Sequence, residues 1–169
     1  MAVRFCAVSP PGETALALAA LDRAVALNPN SAMAWAAKGH VLARRDQPEA
    51  AIEALNRAWR LSPFDPLGYY TSNGLAVAHL TARRFETAIE WADRALHDNP
   101  RLLTPKQVKV VALANLGRLD EARAEIPHLL AMHPKWTIAE FRAMDTGAMA
   151  PEVMDFFVTG LRLGGLPEG

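Results

Sequence analysis

Five histidines are the side chains of this sequence best suited to metal binding or proton transfer at neutral pH. They are His40, His79, His97, His128 and His133. The sequence contains no HExxH motif, no His-x3-His pair and no acidic residue at the spacing of a metal ligand. His128 and His133 are five residues apart, so they do not share a helix face. We therefore expect no metal centre.

The other patterns that carry catalysis are also missing from the sequence. Cys6 is the only cysteine, so the chain has no internal disulfide, which favours a reducing, cytoplasmic location. Gly160, Gly164 and Gly165 are not preceded by a strand and followed by a helix, as a phosphate-binding loop requires. No GxSxG motif occurs, although a Ser, His and Asp set without that motif stays open. The sequence predicts a protein that is not an enzyme and has no cofactor.

The charge balance bears on the kind of partner. The chain has 18 basic and 18 acidic residues, and its formal net charge is zero. It therefore lacks the bulk attraction that draws basic proteins to nucleic acid or anionic lipid. No run of about 18 apolar residues occurs, the length that a membrane-spanning helix needs. We expect a protein or peptide partner, and neither nucleic acid nor a membrane.

Four prolines divide the chain at the period of a helical repeat. Pro29, Pro63, Pro100 and Pro134 each close an amphipathic segment, and they are 34, 37 and 34 residues apart. Upstream of each proline the same order of small and apolar residues recurs. The four sets are Ala17, Leu21 and Ala24; Ala51, Leu55 and Ala58; Ala88, Ala92 and Ala95; and Ala122, Ile126 and Leu129. This period predicts stacked helix pairs.

The second of these units carries further matches upstream. Trp35, Gly39 and Leu42 lie on successive turns of a helix predicted from about Ala32 to Arg45. A glycine here lets a second helix approach closely. The arrangement Trp-x3-Gly-x2-Leu, followed by Ala-x3-Leu-x2-Ala-x4-Pro, resembles the tetratricopeptide repeat. The resemblance implies an all-α, right-handed solenoid of about 3.5 helix-turn-helix repeats.

We interpret residues 1–169 as one domain of this kind. Its segments are a partial repeat at 12–31, full repeats at 32–65, 66–102 and 103–136, and a C-terminal cap at 137–169. An open array leaves its last apolar face unpaired, and terminal helices commonly cover such a face. Pro151 opens a strongly apolar helix that fits this role. The alternative is that its aromatic residues form a dimer surface, so we expect a monomer or a weak homodimer.

Capping signals mark several helix starts. Ser31 is placed to cap the helix that begins near Ala32. Asp46 with Glu49, and Thr137 with Glu140, have the spacing of capping boxes.

A further resemblance covers about residues 15 to 169. Its strings include ALNPNSAMAWAAKGHV, RLSPFDPLGYYTSNGLAVAHL, RRFETAIEWADRAL and GRLDEARAEIPHLLAMHP. They are similar to the C-terminal region of bacterial signalling proteins in which tetratricopeptide repeats follow a class III adenylate or guanylate cyclase domain or a winged-helix domain. The resemblance implies an interaction scaffold in bacterial signalling. The alternative is a regulatory or dimerisation module of a cyclase or transcription regulator.

In tetratricopeptide proteins the first helix of each repeat lines a concave groove. Carried onto this sequence at i, i+3, i+7 spacing, the groove set, here called the stripe, is Met33, Ala36, His40, Tyr70, Asn73, Val77, Thr104, Gln107 and Val111. Asn73 and Gln107 are expected to hydrogen-bond an extended peptide backbone. Met33, Tyr70 and Val77 are expected to supply apolar contacts. The stripe contains no cation, which disfavours an acidic peptide terminus.

Four arginines fall at the ends of first helices, at Arg44, Arg45, Arg83 and Arg84. They form a local basic rim or complement the dipole at the helix C-terminus.

Overall fold

The structure is a computed structural model that describes residues 11–63, 65–145 and 147–169. Across those residues all regular structure is α-helical, which confirms the predicted fold class. The helices are α1 Pro11–Leu27, α2 Ala32–Arg44, α3 Pro48–Leu61, α4 Gly68–Thr81, α5 Phe85–Asp98, α6 Leu103–Asn115, α7 Leu119–Met132, α8 Ile138–Met144 and α9 Pro151–Leu163. The sequence inferences on Cys6 and residues 1–10 concern positions outside the described residues.

The helices up to α7 alternate between two layers. We call α2, α4 and α6 the A layer, and α1, α3, α5 and α7 the B layer. Each A helix packs against the B helix on either side of it in sequence, and against the neighbouring A helices. One apolar seam runs between the layers and through the described repeats. This is the stacking of helix hairpins that the proline period predicts.

Small residues set the distance between the paired helices. A Cβ atom added at Gly39 in α2 would meet the Leu55 side chain of α3 and come within 3.1 Å of the Ala51 carbonyl oxygen. Ala51 and Leu55 are fully buried, and the alanines at the same positions of α5 are equally buried. The repeat therefore depends on glycine and alanine where two helices cross, because larger residues would hold them apart.

The turn from A helix to B helix has one geometry in all three full repeats. Its left-handed residues are Asp46 with φ 55°, Arg83 with φ 61° and Gly117 with φ 74°. The residue that follows each one donates its N–H to the carbonyl five positions back, at 3.1, 2.9 and 3.0 Å. Asp46 thus ends α2 and does not cap α3, which has no side-chain N-cap. The capping-box prediction for Asp46 and Glu49 is wrong.

The caps predicted at Ser31 and Thr137 are confirmed for the hydrogen bond that each hydroxyl accepts. Ser31 Oγ accepts a hydrogen bond from the Ala34 N–H at 3.2 Å. Thr137 Oγ1 accepts one from the Glu140 N–H at 3.1 Å. Both hydroxyls satisfy a backbone donor of the first helical turn that has no partner within the helix.

Two lysines at equivalent positions of the first and third full repeats tie the layers together. Lys38 Nζ lies 2.7 Å from Asp22 of the preceding B helix. Lys109 Nζ lies 3.0 Å from Asp93 of the preceding B helix and 2.7 Å from Glu125 of the following one. Burial lowers the pKa of Lys109, but the hydrogen bonds to both carboxylates outweigh it and hold the pKa above its usual value. Lys109 therefore stays charged between its two carboxylates.

Residues 136–145 and 147–169, here called the C-terminal segment, fold back onto the A layer. The Ala150 N–H, just before α9, donates to the carbonyl of Arg44 at the end of α2, at 2.8 Å. One and a half turns later, Phe156 lies beside the turn between α4 and α5, where the Arg83 guanidinium carbon is 3.3 Å from its ring centroid. The start of α9 therefore lies beside the ends of α2 and α4.

The second half of α9 packs against α6, the last helix of the A layer. A Cβ at Gly160 would lie 3.0 Å from the Val111 Cα atom, so glycine allows this close approach. Gly165 follows α9 with φ 94°, and the Leu166 N–H donates to the Leu161 carbonyl at 3.0 Å. This is the same turn that ends each A helix. In the described residues α9 thus occupies the place of a further A helix.

Candidate functional site

The stripe residues lie on the A helices, but they differ in exposure. Met33 is 50% exposed. Tyr70, Asn73 and Thr104 are half-buried. The remaining five are buried, namely Ala36, His40, Val77, Gln107 and Val111. The stripe is therefore not one continuous open surface.

His40 joins the first two helices of the A layer. Its ring stacks on Tyr70 with centroids 4.0 Å apart, and Nε2 donates to the Tyr70 carbonyl at 2.8 Å. Burial lowers the pKa of His40 to about 4; the hydrogen bond to Tyr70 opposes this shift and the charge of Arg44 adds to it. His40 is thus a neutral packing residue whose ring is already occupied.

The stripe lines two separate openings. The smaller one, between α2, the end of α3 and the start of α4, has a volume of about 10 Å³. Met33, Ala36 and Tyr70 are among the residues that line it. A space of this size holds at most about one water molecule, so this opening offers no room for a partner's side chain.

The larger opening, here called the cleft, lies between the A layer and the C-terminal segment. Its volume is about 180 Å³. The residues that line it are Arg44, Leu103, Thr104, Gln107, Trp136, Phe141, Met144, Asp145, Ala148 and Met149. Two stripe residues, Thr104 and Gln107, are on one wall, and the C-terminal segment supplies the opposite wall. The cleft is therefore the part of the stripe surface with room for a ligand.

Besides His40, three stripe residues line neither opening. Val111 is fully buried and meets Gly160 of α9. Val77 is 4% exposed. Asn73 has a buried Oδ1 atom with no hydrogen-bond partner among the described residues. Asn73 and Gln107, which the sequence analysis pairs as peptide ligands, do not face one opening.

Sequence reasoning missed the wall that the C-terminal segment contributes. Trp136, Phe141 and Met149 line the cleft, although the sequence analysis assigns Trp136 to the last repeat and residues 137–169 to a cap. Of the arginines at helix ends, Arg44 lines the cleft as well. The available signal was the high share of apolar and aromatic residues after Pro134.

The described residues contain no group of three or more His, Cys, Asp or Glu side chains arranged to hold a metal ion. In the same part of the chain, no helix combines the length and apolar character needed to cross a membrane.

Comparison with known proteins identifies the family. A family model described as tetratricopeptide repeat matches residues 12–66 and 64–101. Those residues cover α1 to α5, whose paired helices and small crossing residues are described above. The chain belongs to the tetratricopeptide repeat family. Proteins of this family act as scaffolds for protein interactions.

Individual relatives agree with this assignment. A human FK506-binding protein-like protein is 33% identical over 104 residues, which are 59% of this chain and 30% of that protein. The fold is similar to MamA, with a TM-score of 0.64, 18% identity and coverage of 90% of this chain and 87% of MamA. It is also similar to YrrB, described as a TPR protein with an unusual peptide-binding site, with a TM-score of 0.58, 20% identity and coverage of 89% and 79%. At these identities the solved structures show a shared fold.

Proposed function

We propose that this chain is a non-catalytic scaffold that binds a segment of a partner protein in the cleft. The observation that carries the proposal is the cleft itself, a space of about 180 Å³ on the A layer that contains stripe residues. A rigid array loses little entropy on binding, so the entropic cost of docking is mainly that of ordering the partner segment. Gln107 supplies an amide that can both donate to and accept from a peptide backbone.

The wider setting of this proposal is a bacterial signalling protein in the cytoplasm. What supports it is the resemblance of residues 15–169 to the repeats that follow cyclase and winged-helix domains. The balance of 18 basic and 18 acidic residues supports a protein partner over nucleic acid or a membrane surface. We also propose that residues 1–169 act as one domain, with repeats at the boundaries given above.

A selection of displayed random peptides against the immobilised protein tests the function. We expect to select peptides that bind the wild type and that bind the Gln107→Ala variant about tenfold or more weakly. Met33→Ala is the matched control, because Met33 belongs to the stripe but does not line the cleft. Binding that depends on Met33 and not on Gln107 would move the site to the first repeat. No enrichment of any peptide would contradict the scaffold function.

The Asn73 prediction is tested with the same peptides. Asn73 does not line the cleft, so Asn73→Ala is expected to leave the affinity within about twofold. A loss similar to that of Gln107→Ala would show that both amides bind the partner, as the stripe predicts.

A second candidate function, a dimerisation module, is favoured by the surface of α1. Leu16 and Leu27 are 71% and 77% exposed, and Ala17 is exposed although the matching alanines of later repeats are buried. Leu16 and Leu27 are about three helical turns apart on one face of α1, and an exposed apolar face is typical of an interaction site. Light scattering across a concentration series tests this candidate. A dimer that dissociates in Leu16→Glu with Leu27→Glu would support it, and a monomer at all concentrations would exclude it.

A further inference from the structure

The cleft has a chemical character that is more specific than a general peptide groove. Its apolar side chains come from α6 and the C-terminal segment, and they are Leu103, Trp136, Phe141, Met144 and Met149. Two aromatic contacts fix this wall: Trp136 meets Phe141 edge to face with centroids 6.4 Å apart, and Phe141 stacks on buried Phe157 at 5.9 Å. An apolar wall held in place by such contacts is preorganised for an apolar group.

The size of the cleft limits that group to a single side chain. A buried apolar cavity of about 150 Å³ is known to admit a benzene ring. The cleft, at about 180 Å³, therefore has room for one aromatic or long aliphatic side chain and not for a folded element. Met144, which is 51% exposed, and Met149 have flexible side chains that can adapt to either kind of group.

The charges on the cleft favour a neutral ligand. Arg44 and Asp145 bring one positive and one negative group to the rim. One Asp145 oxygen is already used, because Oδ1 accepts from the backbone N–H groups of Ala148 and Met149 at 3.1 Å each. Neither an acidic nor a basic side chain gains a net attraction from this pair.

The polar groups of the cleft match a peptide backbone. The Trp136 indole Nε1 is buried and has no hydrogen-bond partner among the described residues. Because this atom has almost no accessible surface, a ligand in the cleft meets the Trp136 ring and not its N–H group. Gln107 and Thr104 on the facing wall offer both donors and acceptors. A peptide backbone next to an apolar side chain has the donors and acceptors that pair with these two side chains.

We propose that the cleft is an anchor pocket for one large apolar side chain, aromatic or unbranched aliphatic, on an extended neutral segment whose backbone pairs with Gln107. This inference rests on the proposed function and specifies the ligand of the same site. It also gives the C-terminal segment a direct part in recognition, since the pocket exists only when that segment lies against α6 and Arg44.

The test uses nitrogen-15 labelled full-length protein, whose four tryptophans each give an indole N–H signal. N-acetyl-phenylalanine amide is titrated as the probe, and N-acetyl-alanine amide is the matched control. We expect the Trp136 signal, assigned with Trp136→Phe, to shift and saturate, and the phenylalanine probe to bind at least about tenfold tighter than the alanine probe. Equal affinities, or shifts confined to Trp35, Trp59 and Trp91, would overturn the proposal.

A variant that fills the pocket gives an independent readout. Ala148→Phe is expected to abolish binding of the phenylalanine probe, and Ala143→Phe, on an exposed position of α8 outside the cleft, is expected to leave it unchanged. Met144→Ala, a smaller change, is expected to weaken binding severalfold even if Ala148→Phe fails to fold. A selected peptide that binds all these variants with wild-type affinity would contradict the anchor pocket but would still support the scaffold function.

Discussion

The two ends of the array differ in how far their apolar residues are buried in the described part of the chain. At the C-terminal end, α9 covers α6, and Phe157 and Leu161 are fully buried there. At the N-terminal end, α1 is a B helix whose main contact in the described residues is α2. Its Ala17 is exposed and its Leu21 half-buried, although the residues at those positions in later repeats are buried. Within the described residues, the same repeat pattern thus makes a core only where a preceding A helix packs against it.

The comparison teaches that a repeat motif specifies which residues are able to be buried, and that neighbouring helices decide whether they are. Each unit of a solenoid is stabilised largely by its neighbours. We therefore expect the covered end to contribute far more stability per apolar side chain than the open end, and the following changes test that difference.

The largest effect is expected from truncating the covered end. Phe157 is fully buried between Phe141 and Phe156. Phe157→Ala should lower the free energy of unfolding by about 3 to 5 kcal/mol, because it removes the buried ring and leaves a cavity. Urea unfolding followed by circular dichroism measures it. A loss below about 1 kcal/mol would mean that α9 is not part of the cooperative core.

The second-largest effect is expected when acid protonates His40, which joins the first two full repeats. The unfolded chain binds a proton at His40 near pH 6.5, but the folded protein binds it only near pH 4. The contribution of His40 to stability is therefore present above pH 6.5 and is lost as the pH falls to 4, by up to about 3 kcal/mol. The difference in urea stability between wild type and His40→Gln, measured from pH 7 to pH 4, should shrink with acid. A constant difference would contradict this assignment.

Two substitutions that overpack a helix contact, one towards each end of the array, compare the two ends directly. Gly160→Leu should cost about 1 to 3 kcal/mol, because its Cβ would lie 3.0 Å from the Val111 backbone. Gly39→Leu should cost a similar amount, because Leu55 and the Ala51 carbonyl leave no space. Thermal unfolding of both variants checks this. An unchanged melting temperature for either variant would show that its helix contact is looser than described.

The smallest effect is expected at the open end. Leu16 is 71% exposed on α1, so Leu16→Ala should change the unfolding free energy by less than about 0.5 kcal/mol. The same urea experiment as for Phe157→Ala serves here. A loss above about 2 kcal/mol would show that Leu16 is covered in solution and that α1 is not an open edge.

The sequence predicts the repeats well because their signals are local. The spacing of Gly39, Ala51 and Leu55 is enough to place two helices in contact, and Ser31 marks a helix start within one turn. Asp46 was misread because an acidic residue before Pro48 fits both a helix start and the left-handed end of the preceding helix; only the backbone geometry distinguishes them.

The cleft was beyond sequence reasoning because distant segments build it. Thr104 and Gln107 follow from the repeat, but Trp136 and Met149 reach the same space only through the path of the C-terminal segment. That path depends on contacts such as the one between Ala150 and Arg44, which no local pattern encodes. Val77 and Val111 are buried, although the repeat register assigns both to the groove stripe.

The hydrogen bond between Ala150 and Arg44 has a mechanical consequence. A solenoid normally stretches and twists like a spring, because each coil touches only the next one. Here the C-terminal segment is hydrogen-bonded to the first full repeat and packs along all three full repeats, which restrains their relative movement. A partner that requires a different superhelical pitch must first separate the C-terminal segment from the first full repeat.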